Sequence, residues 1–178
     1  MEEMTNKVPT GFSGWGLDNA SAEEQCKLAL ARVKALTLGE SDTVCNLSNT
    51  AALLWQYMSN ISWCGFYLMR KGELVLGPFQ GKSACRRIAV GKGVCGTAVA
   101  EDKTQLVPNV HEFPGHIACD SASRSEIVVP IHHNGEVIAV LDIDSADFDR
   151  FHETEQKYME LICQHLEAQC AWLYYDEL

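Results

Sequence analysis

The sequence lacks a long apolar run, and it lacks a cluster of basic residues. A membrane-spanning helix needs about 20 mostly apolar residues in a row, and a secretory signal needs a basic start followed by an apolar stretch. Neither pattern occurs at the acidic, glycine-containing start of the chain. The net charge of −10 argues against nucleic acid or an anionic membrane surface as the main partner. We therefore expect a cytoplasmic protein with neither kind of partner.

The sequence also lacks a C-x-x-C pair, although it contains 8 cysteines. In a reducing compartment, such a number indicates metal binding or thiol chemistry more often than a framework of disulfides. A zinc site is one alternative, with ligands from Cys85, Cys95, Cys119 and either His111 or His116. Zinc-binding cysteines usually come in closely spaced pairs, so the spacing favours thiol chemistry over zinc.

No linker, internal repeat or low-complexity segment divides the chain, and its length fits one domain with a real hydrophobic core. We expect residues 1–20 to form a lead-in and residues 21–178 to form a single domain. Apolar residues at helical spacing, preceded by the capping residues Ser21 and Asp42, predict helices over residues 21–38, 42–58 and 151–175.

Short apolar or alternating runs between the second and the last helix predict strands at residues 61–69, 73–76, 84–90, 105–107, 127–131 and 136–144. Two hairpins among them indicate an antiparallel sheet, with the long terminal helices on one face. The sequence therefore predicts an α+β fold whose other face forms a pocket, roofed by loops around residues 77–96 and 109–124. The glycines at residues 91–96 lack the spacing of a phosphate-binding loop and fit a tight strand-to-helix turn.

Residues 111–126 hold a cysteine in a polar, turn-forming segment. Cys119 is followed by Asp120, Ser121 and Ser123 rather than by apolar neighbours. Clusters of small polar residues are typical of surface loops, where a rigid scaffold often presents reactive groups. We interpret Cys119 as a reactive thiol.

Asp142 and Asp144 lie on one face of a strand that is otherwise strongly apolar. Two desolvated carboxylates repel each other and raise at least one pKa, which indicates a ligand or a proton transfer; the alternative is a solvated strand end. Glu126 joins them only in one hairpin register. A two-residue turn pairs residue 126 with Ile143, whereas a three-residue turn at residues 133–135 pairs it with Asp142. We favour the three-residue turn, because a carboxylate beneath the helices would be costly.

Two aromatic side chains share a face of the predicted strand at residues 61–69. Trp63 and Tyr67 lie on either side of Gly65, which has no side chain. The glycine leaves room beside the two rings, which indicates a concave wall that something can approach. Ordinary packing of the rings against a neighbouring element is the alternative.

Seven segments in order resemble the free methionine-(R)-sulfoxide reductases, which are small enzymes built on a GAF domain. The segments are WCGFYL at 63–68, LGPFQG at 76–81, AC at 84–85, GKGVCGTA at 91–98, FPGHIACDSAS at 113–123, SEIVVPI at 125–131 and VLDIDS at 140–145. Ser83 departs from the family, since a proline is common at its position. The resemblance implies a six-stranded antiparallel GAF sheet, with the N- and C-terminal helices on one face and a closed pocket on the other.

The resemblance also implies the roles of three thiols. Cys119 matches the thiol that attacks the sulfoxide sulfur, Cys85 matches the resolving thiol, and Cys95 is a third thiol near the same loops. Family members differ in how they divide the work between the positions of Cys95 and Cys119, so both cysteines remain candidates for the attacking thiol.

Five further residues match the substrate pocket of the family. Trp63 and Tyr67 match aromatics around the methyl end of the substrate. Three residues match carboxylates of the pocket: Glu126, Asp142 and Asp144. Carboxylates suit the ammonium group of a free amino acid, and one of the three would serve as the acid. Which of the three is the acid stays open at this point.

An enzyme of this kind reduces free L-methionine-(R)-sulfoxide through a cysteine thiolate, a sulfenic acid and an intramolecular disulfide, which a thioredoxin-like reductant reopens. The mechanism needs no metal and no organic cofactor. The resemblance also favours a homodimer. The alternative function is a GAF sensory module that binds a small ligand without catalysis, although such a binder would not need three loop thiols.

Overall fold

The structure, a computed structural model, describes residues 20–115 and 120–172. Cys119 and residues 1–19 of the predicted lead-in lie outside the described residues, so the domain boundary stays a prediction. The helices are α1 (Ala22–Leu36), α2 (Thr43–Tyr57), α3 (Gly93–Glu101) and α4 (Glu153–Gln169). The strands are β1 (Trp63–Arg70), β2 (Glu73–Gly81), β3 (Arg87–Ala89), β4 (Gln105–Val107), β5 (Ser125–His133) and β6 (Glu136–Ser145). Within these ranges, no helix has the length and apolar character needed to cross a bilayer.

The six strands form one antiparallel sheet in the order β3-β2-β1-β6-β5-β4. Side chains of α1, α2 and α4 share an apolar cluster with one face of the sheet. The short helix α3 packs with the opposite face. The predicted α+β architecture, with terminal helices on one face, is confirmed.

The terminal helices begin where the sequence predicts. Ser21 and Glu24 form a capping box at the start of α1, and the Asp42 carboxylate accepts a hydrogen bond from the backbone N–H of Cys45 at 2.8 Å to cap α2. These contacts satisfy N–H groups that have no partner inside the helix. The last helix ends at Gln169, which is earlier than predicted.

A dimer interface could use three apolar residues of the terminal segments: Cys26 of α1, Cys163 of α4, and Trp172, which follows α4. All three are buried in the core of this chain, so they pack the helices onto the sheet. Helical spacing places Leu36 and Val44 on the apolar stripes of the first two helices, yet both side chains are exposed. The homodimer stays a prediction.

The β5–β6 hairpin has a register that neither alternative anticipated. Its turn is the two-residue Asn134-Gly135, because His133 pairs with Glu136. Both turn residues have positive φ, 53° and 85°, as the favoured two-residue hairpin turn requires. A bulge then leaves Ile138 without a partner on β5 and shifts all later pairs by one residue.

The bulge decides where Glu126 points. Glu126 pairs with Asp144, so its side chain lies on the same face as those of Asp142 and Asp144. The predicted three-residue turn is therefore wrong, whereas the predicted placement of the three carboxylates on one face of the sheet is confirmed. Strict alternation along residues 136–144 would place Ile138 on the same face as Asp142, but the bulge places it with the helix-side cluster.

Strand β2 continues to Gly81, although the sequence predicts a loop from residue 77. The β1–β2 register shifts between Gly65 and Tyr67 of β1, which is a bulge that takes up the extra residue on β2. Pro78 is tolerated because β3 pairs only with residues 73–75, so this part of β2 is an edge. From the sequence alone, the pair Gly77-Pro78 predicts a loop, because neither the edge position nor the bulge can be seen there.

Candidate active site

One cavity on the sheet face opposite α1, α2 and α4 is lined by six of the predicted site residues: Trp63, Tyr67, Cys95, Glu126, Asp142 and Asp144. Its volume is about 40 Å³. Cys85 packs against the apolar cluster beside it. Cys119, the remaining predicted residue, lies outside the described residues.

Three carboxylates form the floor of this cavity. Asp142 and Asp144 come from β6 at the centre of the sheet, and Glu126 comes from β5. Glu126 and Asp142 are each only 6% exposed, and Oδ1 of Asp142 is buried without a hydrogen-bond partner in the described part of the chain. A buried polar atom without a partner is rare in folded proteins, which indicates that a ligand completes this floor.

Burial raises the pKa of the carboxyls in the floor. For Glu126 desolvation is the largest cause, and the charges of Asp142 and Asp144 add to it. Desolvation raises the pKa of Asp142 to about 6, while contacts with Cys95 and Glu126 hold it lower. The Glu126–Asp142 pair therefore keeps a proton near neutral pH.

Asp144 has a different environment from the other two carboxylates. It is partly open to solvent, and burial and then the charge of Asp142 raise its pKa. The Ser123 hydroxyl opposes this rise by hydrogen bonding to the carboxylate. Ser123 also lines the cavity, and it was missed because only the tertiary structure brings its loop to β6.

Cys95 lines the cavity from the first turn of α3, which begins at Gly93. The preceding turn is tight, since a Cβ at Gly96 would lie 2.3 Å from the carbonyl oxygen of Ala89. Only glycine lets β3 and α3 come this close. A strand-to-helix turn is therefore present, but it is shorter than the predicted residues 91–96, because the helix already begins at Gly93.

The thiol of Cys95 faces the acidic floor. One ligand atom each from Cys95, Glu126 and Asp142 lies within 4.8 Å of the other two. Burial, and then the charges of Asp142 and Glu126, raise the pKa of this thiol. Cys95 is therefore a protonated thiol at neutral pH in this arrangement.

The aromatic wall is a stack of three rings. Trp63 lies 5.3 Å from Phe79 and 5.9 Å from Tyr67 between ring centroids. The space at Gly65 is filled from inside the protein, because an added Cβ would lie 2.3 Å from Cβ of Phe79. The prediction that Gly65 leaves room for an approaching group is therefore wrong: the glycine admits the stack.

The polar atoms of two of these rings hold the loop that follows β2. Trp63 Nε1 donates a hydrogen bond to the carbonyl oxygen of Lys82 at 3.1 Å, and the Tyr67 hydroxyl donates to the carbonyl oxygen of Cys85 at 3.0 Å. Burial raises the pKa of Tyr67, so its hydroxyl remains a donor. The wall thus fixes the backbone beside Cys85.

An ion pair that the sequence did not indicate spans the rim of the cavity. Lys82 Nζ lies 3.0 Å from Asp120 Oδ2, and both residues line the cavity. The other oxygen of Asp120 accepts the backbone N–H of Ala122 at 3.0 Å, which is the geometry of an Asx turn. The two loops expected to roof the pocket are therefore joined to each other.

The cysteines of the described residues differ in state. Cys85 is disulfide-bonded, whereas the free cysteines are Cys26, Cys45, Cys64, Cys95, Cys163 and Cys170. Within residues 20–115 and 120–172, the only group with the spacing of metal ligands joins Cys95 to Glu126 and Asp142. Cys85 and His111 take no part in it, so the zinc site considered from the sequence gains no support.

The chain has clear relatives. The GAF domain model matches residues 42–170. The chain is 54% identical over 131 residues to the free methionine-R-sulfoxide reductase of Escherichia coli (strain K12), which covers 73% of this chain and 79% of that protein. The chain therefore belongs to the GAF-domain family of free methionine-(R)-sulfoxide reductases.

Two further members of the reductase family support this assignment. The free methionine-R-sulfoxide reductase of Saccharomyces cerevisiae is 43% identical over 162 residues, covering 86% of this chain and 90% of that protein. The X-ray structure of the free methionine-R-sulfoxide reductase from Neisseria meningitidis in complex with its substrate is 42% identical, with a TM-score of 0.82. That match covers 89% of this chain and 92% of the other. The GAF fold expected from the resemblance is confirmed.

Proposed function

We propose that this chain reduces free L-methionine-(R)-sulfoxide to L-methionine through cysteine chemistry. The oxygen atom moves from the substrate sulfur to the thiol of Cys119, which becomes a sulfenic acid. The thiol of Cys85 condenses with the sulfenic acid, so that a disulfide forms and water leaves. A thioredoxin-like dithiol then reduces the disulfide and restores both thiols.

The observation that carries this proposal is an aromatic wall that meets three carboxylates in one cavity. The apolar thioether end of the substrate fits beside Trp63 and Tyr67, and its ammonium group fits the acidic floor. A methionine inside a peptide has no ammonium group there, so it would leave buried carboxylates unpaired. The site therefore favours the free amino acid.

Glu126 is the proposed acid. Protonation of the sulfoxide oxygen needs a group that still holds its proton near neutral pH, and burial beside Asp142 and Asp144 raises the pKa of Glu126. Asp142, with a pKa of about 6, is mostly ionised at pH 7 and suits the ammonium group. The Oδ1 atom of Asp142 without a partner is available for that contact.

Cys119 is the proposed attacking thiol rather than Cys95. The thiolate is the nucleophilic form of cysteine, and burial beside Asp142 and Glu126 raises the pKa of Cys95. Cys85 as the resolving thiol is supported by its disulfide-bonded state, in contrast to the six free cysteines.

The proposal is tested by turnover of free L-methionine-(R)-sulfoxide coupled to thioredoxin, thioredoxin reductase and NADPH. The S epimer and a peptide-bound methionine sulfoxide serve as comparisons. We expect turnover of the free R epimer alone. Equal turnover of the peptide-bound substrate would exclude the proposed role of the floor. Turnover of none of the three would exclude the reductase and favour the sensory module.

The acid is tested separately with Glu126→Gln. We expect a loss of about 100-fold or more in kcat, since general acid catalysis contributes 10²–10⁴-fold in enzymes. Glu136→Gln, at an exposed position in the β5–β6 hairpin, is the matched control and should behave as wild type. Full activity of Glu126→Gln would transfer the role to another carboxyl.

A further inference from the structure

The substrate cavity has an unbalanced charge. Four carboxylates line it: Glu126, Asp142, Asp144 and Asp120. A free amino acid brings a carboxylate as well as an ammonium group, and acidic neighbours repel the carboxylate. Among the described residues that line the cavity, Lys82 alone has a cationic side chain.

We propose that Lys82 binds the α-carboxylate of the free amino acid and is a specificity-determining residue of the enzyme. The acidic floor then recognises the ammonium group, and Lys82 at the rim recognises the carboxylate. The inference rests on the proposed function, because it assumes that a free amino acid occupies the cavity.

The backbone of Lys82 is fixed at the rim from two sides. Its carbonyl oxygen accepts a hydrogen bond from Trp63 Nε1 at 3.1 Å. The preceding Gly81 has a φ of 122°, and a Cβ there would lie 2.8 Å from Cδ1 of Trp63. Only glycine adopts this conformation so close to the indole. The same tryptophan therefore forms the wall for the thioether end and positions Lys82.

The ammonium group of Lys82 has donors to spare. Asp120 Oδ2 lies 3.0 Å from Nζ, which uses one of three N–H groups, so two remain for a ligand carboxylate. The hydrogen bond from Ala122, and then the contact with Lys82, lower the pKa of Asp120, so Asp120 stays ionised and holds the lysine in place. The side chain of Lys82 is 58% exposed, which leaves it free to turn towards a ligand.

The ion pair also connects this subsite to the proposed thiols. Asp120 directly follows Cys119 in the sequence, and Lys82 precedes Cys85 by three residues. A substrate carboxylate on Lys82 would therefore lie at the junction of the two loops that carry the reacting cysteines. The first turn of α3 also faces the cavity through Gly93 and Val94, and helix N-termini bind carboxylates, so an experiment has to separate the two.

The test compares L-methionine-(R)-sulfoxide with its carboxamide, which keeps the ammonium group and the sulfoxide but has no carboxylate. Steady-state kinetics at about pH 6.5 keep both ammonium groups charged. For Lys82→Met we expect kcat/KM for the acid to fall about 10- to 100-fold, the range for a lost hydrogen bond to a charged group, mainly through KM. The kcat/KM for the carboxamide should change by less than about threefold.

Two variants control this result. Lys82→Arg keeps the positive charge and should retain most of the preference for the acid. Lys71→Met makes the same substitution in the exposed β1–β2 turn and should match wild type on both ligands. Equal losses of Lys82→Met on acid and carboxamide would show a merely structural role and overturn the proposal. An unchanged rate on the acid would also overturn it and assign the carboxylate to α3.

Binding of the product distinguishes failure of this inference from failure of the proposed function. Calorimetry with L-methionine and L-methioninamide needs no turnover. Selective loss of L-methionine binding in Lys82→Met supports the role of Lys82, whatever reaction the wild-type protein catalyses. Binding that is unchanged, or equally weakened for both ligands, overturns it.

Discussion

The two faces of the sheet are made from the same strands and have opposite chemistry. Leu141 and Asp142 are neighbours on β6. Leu141 is fully buried in the apolar cluster beneath the helices, whereas Asp142 faces the cavity with a carboxylate oxygen that has no partner among the described residues. The helix-covered face is an apolar core, whereas the other face presents carboxylates to a cavity. Stability is therefore concentrated on one side and chemistry on the other.

The cysteines follow the same division. Cys26 on the helix side is buried in the core, and burial raises its pKa to about 12, so it behaves as a small apolar side chain. Burial also raises the pKa of Cys95 on the pocket side, and carboxylates add to the rise at both thiols: Glu155 at Cys26, and Asp142 and Glu126 at Cys95. The pKa therefore does not distinguish a structural thiol from a site thiol; the difference is that Cys95 lines the cavity whereas Cys26 lies in the core.

The largest expected effect separates a proposed site cysteine from a surface one. Cys119→Ser should lower turnover of free methionine-(R)-sulfoxide by at least about a thousandfold, because loss of a nucleophile removes the reacting group. Cys45→Ser makes the same substitution at an exposed free cysteine on α2 and should retain wild-type kinetics. If Cys119→Ser keeps the full rate, Cys95 becomes the attacking thiol.

Adjacent residues of β6 should separate stability from activity. Leu141→Ala creates a cavity in the helix-side core, where its side chain has no exposed surface, and should lower the free energy of unfolding by about 2–5 kcal/mol. At temperatures where it is folded, its kcat should stay within about threefold of wild type. Urea unfolding and steady-state kinetics on one preparation measure both quantities.

Asp142→Asn should show the opposite combination. The variant removes a buried charge and should be as stable as wild type or more stable, because an ionised carboxylate in this floor is unfavourable. Its kcat/KM should fall about 10- to 100-fold through loss of a charged contact. A variant that is destabilised and fully active would contradict the division between the two faces.

The pH dependence of stability should locate the buried carboxyl. The pKa of Asp142 is about 6 in the folded protein, above its ordinary value of 3.8. The folded state thus binds more protons than the unfolded state between about pH 4 and pH 6, so the free energy of unfolding falls as pH rises through this interval. The raised pKa of Asp142 contributes up to about 3 kcal/mol to this fall in the free energy of unfolding.

The difference between wild type and Asp142→Asn contains this contribution together with the change at Glu126, whose pKa the charge of Asp142 raises. Urea unfolding at pH 4, 5, 6 and 7 gives the free energy of unfolding of both proteins. The two values should be most similar at pH 4, and that of wild type should fall relative to the variant as Asp142 ionises. Parallel curves over the whole range would mean that Asp142 is not the group whose pKa is raised.

The smallest expected effect concerns a link outside the cavity. His132 lies 2.6 Å from Asp102 at Nε2 and 2.9 Å from Glu167 at Nδ1. Burial opposes its protonated form, but the hydrogen bonds to Asp102 and Glu167 outweigh this and raise its pKa. The stabilisation is therefore full below about pH 6.5 and lost as pH rises through the folded-state pKa.

His132→Gln should lower the free energy of unfolding at pH 5.5 by less than about 1 kcal/mol, since the pair is partly exposed. At pH 9 the variant and wild type should be equal, and kcat should not change. His133→Gln, at the next position, is the control. A loss that is equal at both pH values would show that packing rather than charge is responsible.

Much of the fold follows from local patterns. The capping residues Ser21 and Asp42 start the first two helices as predicted, because a cap is a contact between near neighbours. The end of β2 was not predictable in this way. Pro78 lies inside a strand only because this part of the strand is an edge and has a bulge. Both properties depend on pairing with other strands, so the residues around Pro78 do not predict them.

The candidate site divides in the same manner. Trp63 and Tyr67 share a face because strand side chains alternate, and the cavity they line is the one expected. The ion pair of Lys82 with Asp120 joins residues 38 positions apart in the sequence. The sequence does not indicate which charged residue of one loop pairs with which residue of another, because the pairing depends on how the loops fold together.

The sequence by itself determined the residue types that the chemistry needs and the faces on which the strand residues lie, since both are local properties. The tertiary structure decided which of these residues meet. A bulge at Ile138 brings Glu126 opposite Asp144, the tight turn at Gly96 brings Cys95 to the same floor, and the joined loops bring Lys82 to its rim. Each of these contacts depends on register and close approach between distant segments, which are properties of the packed chain.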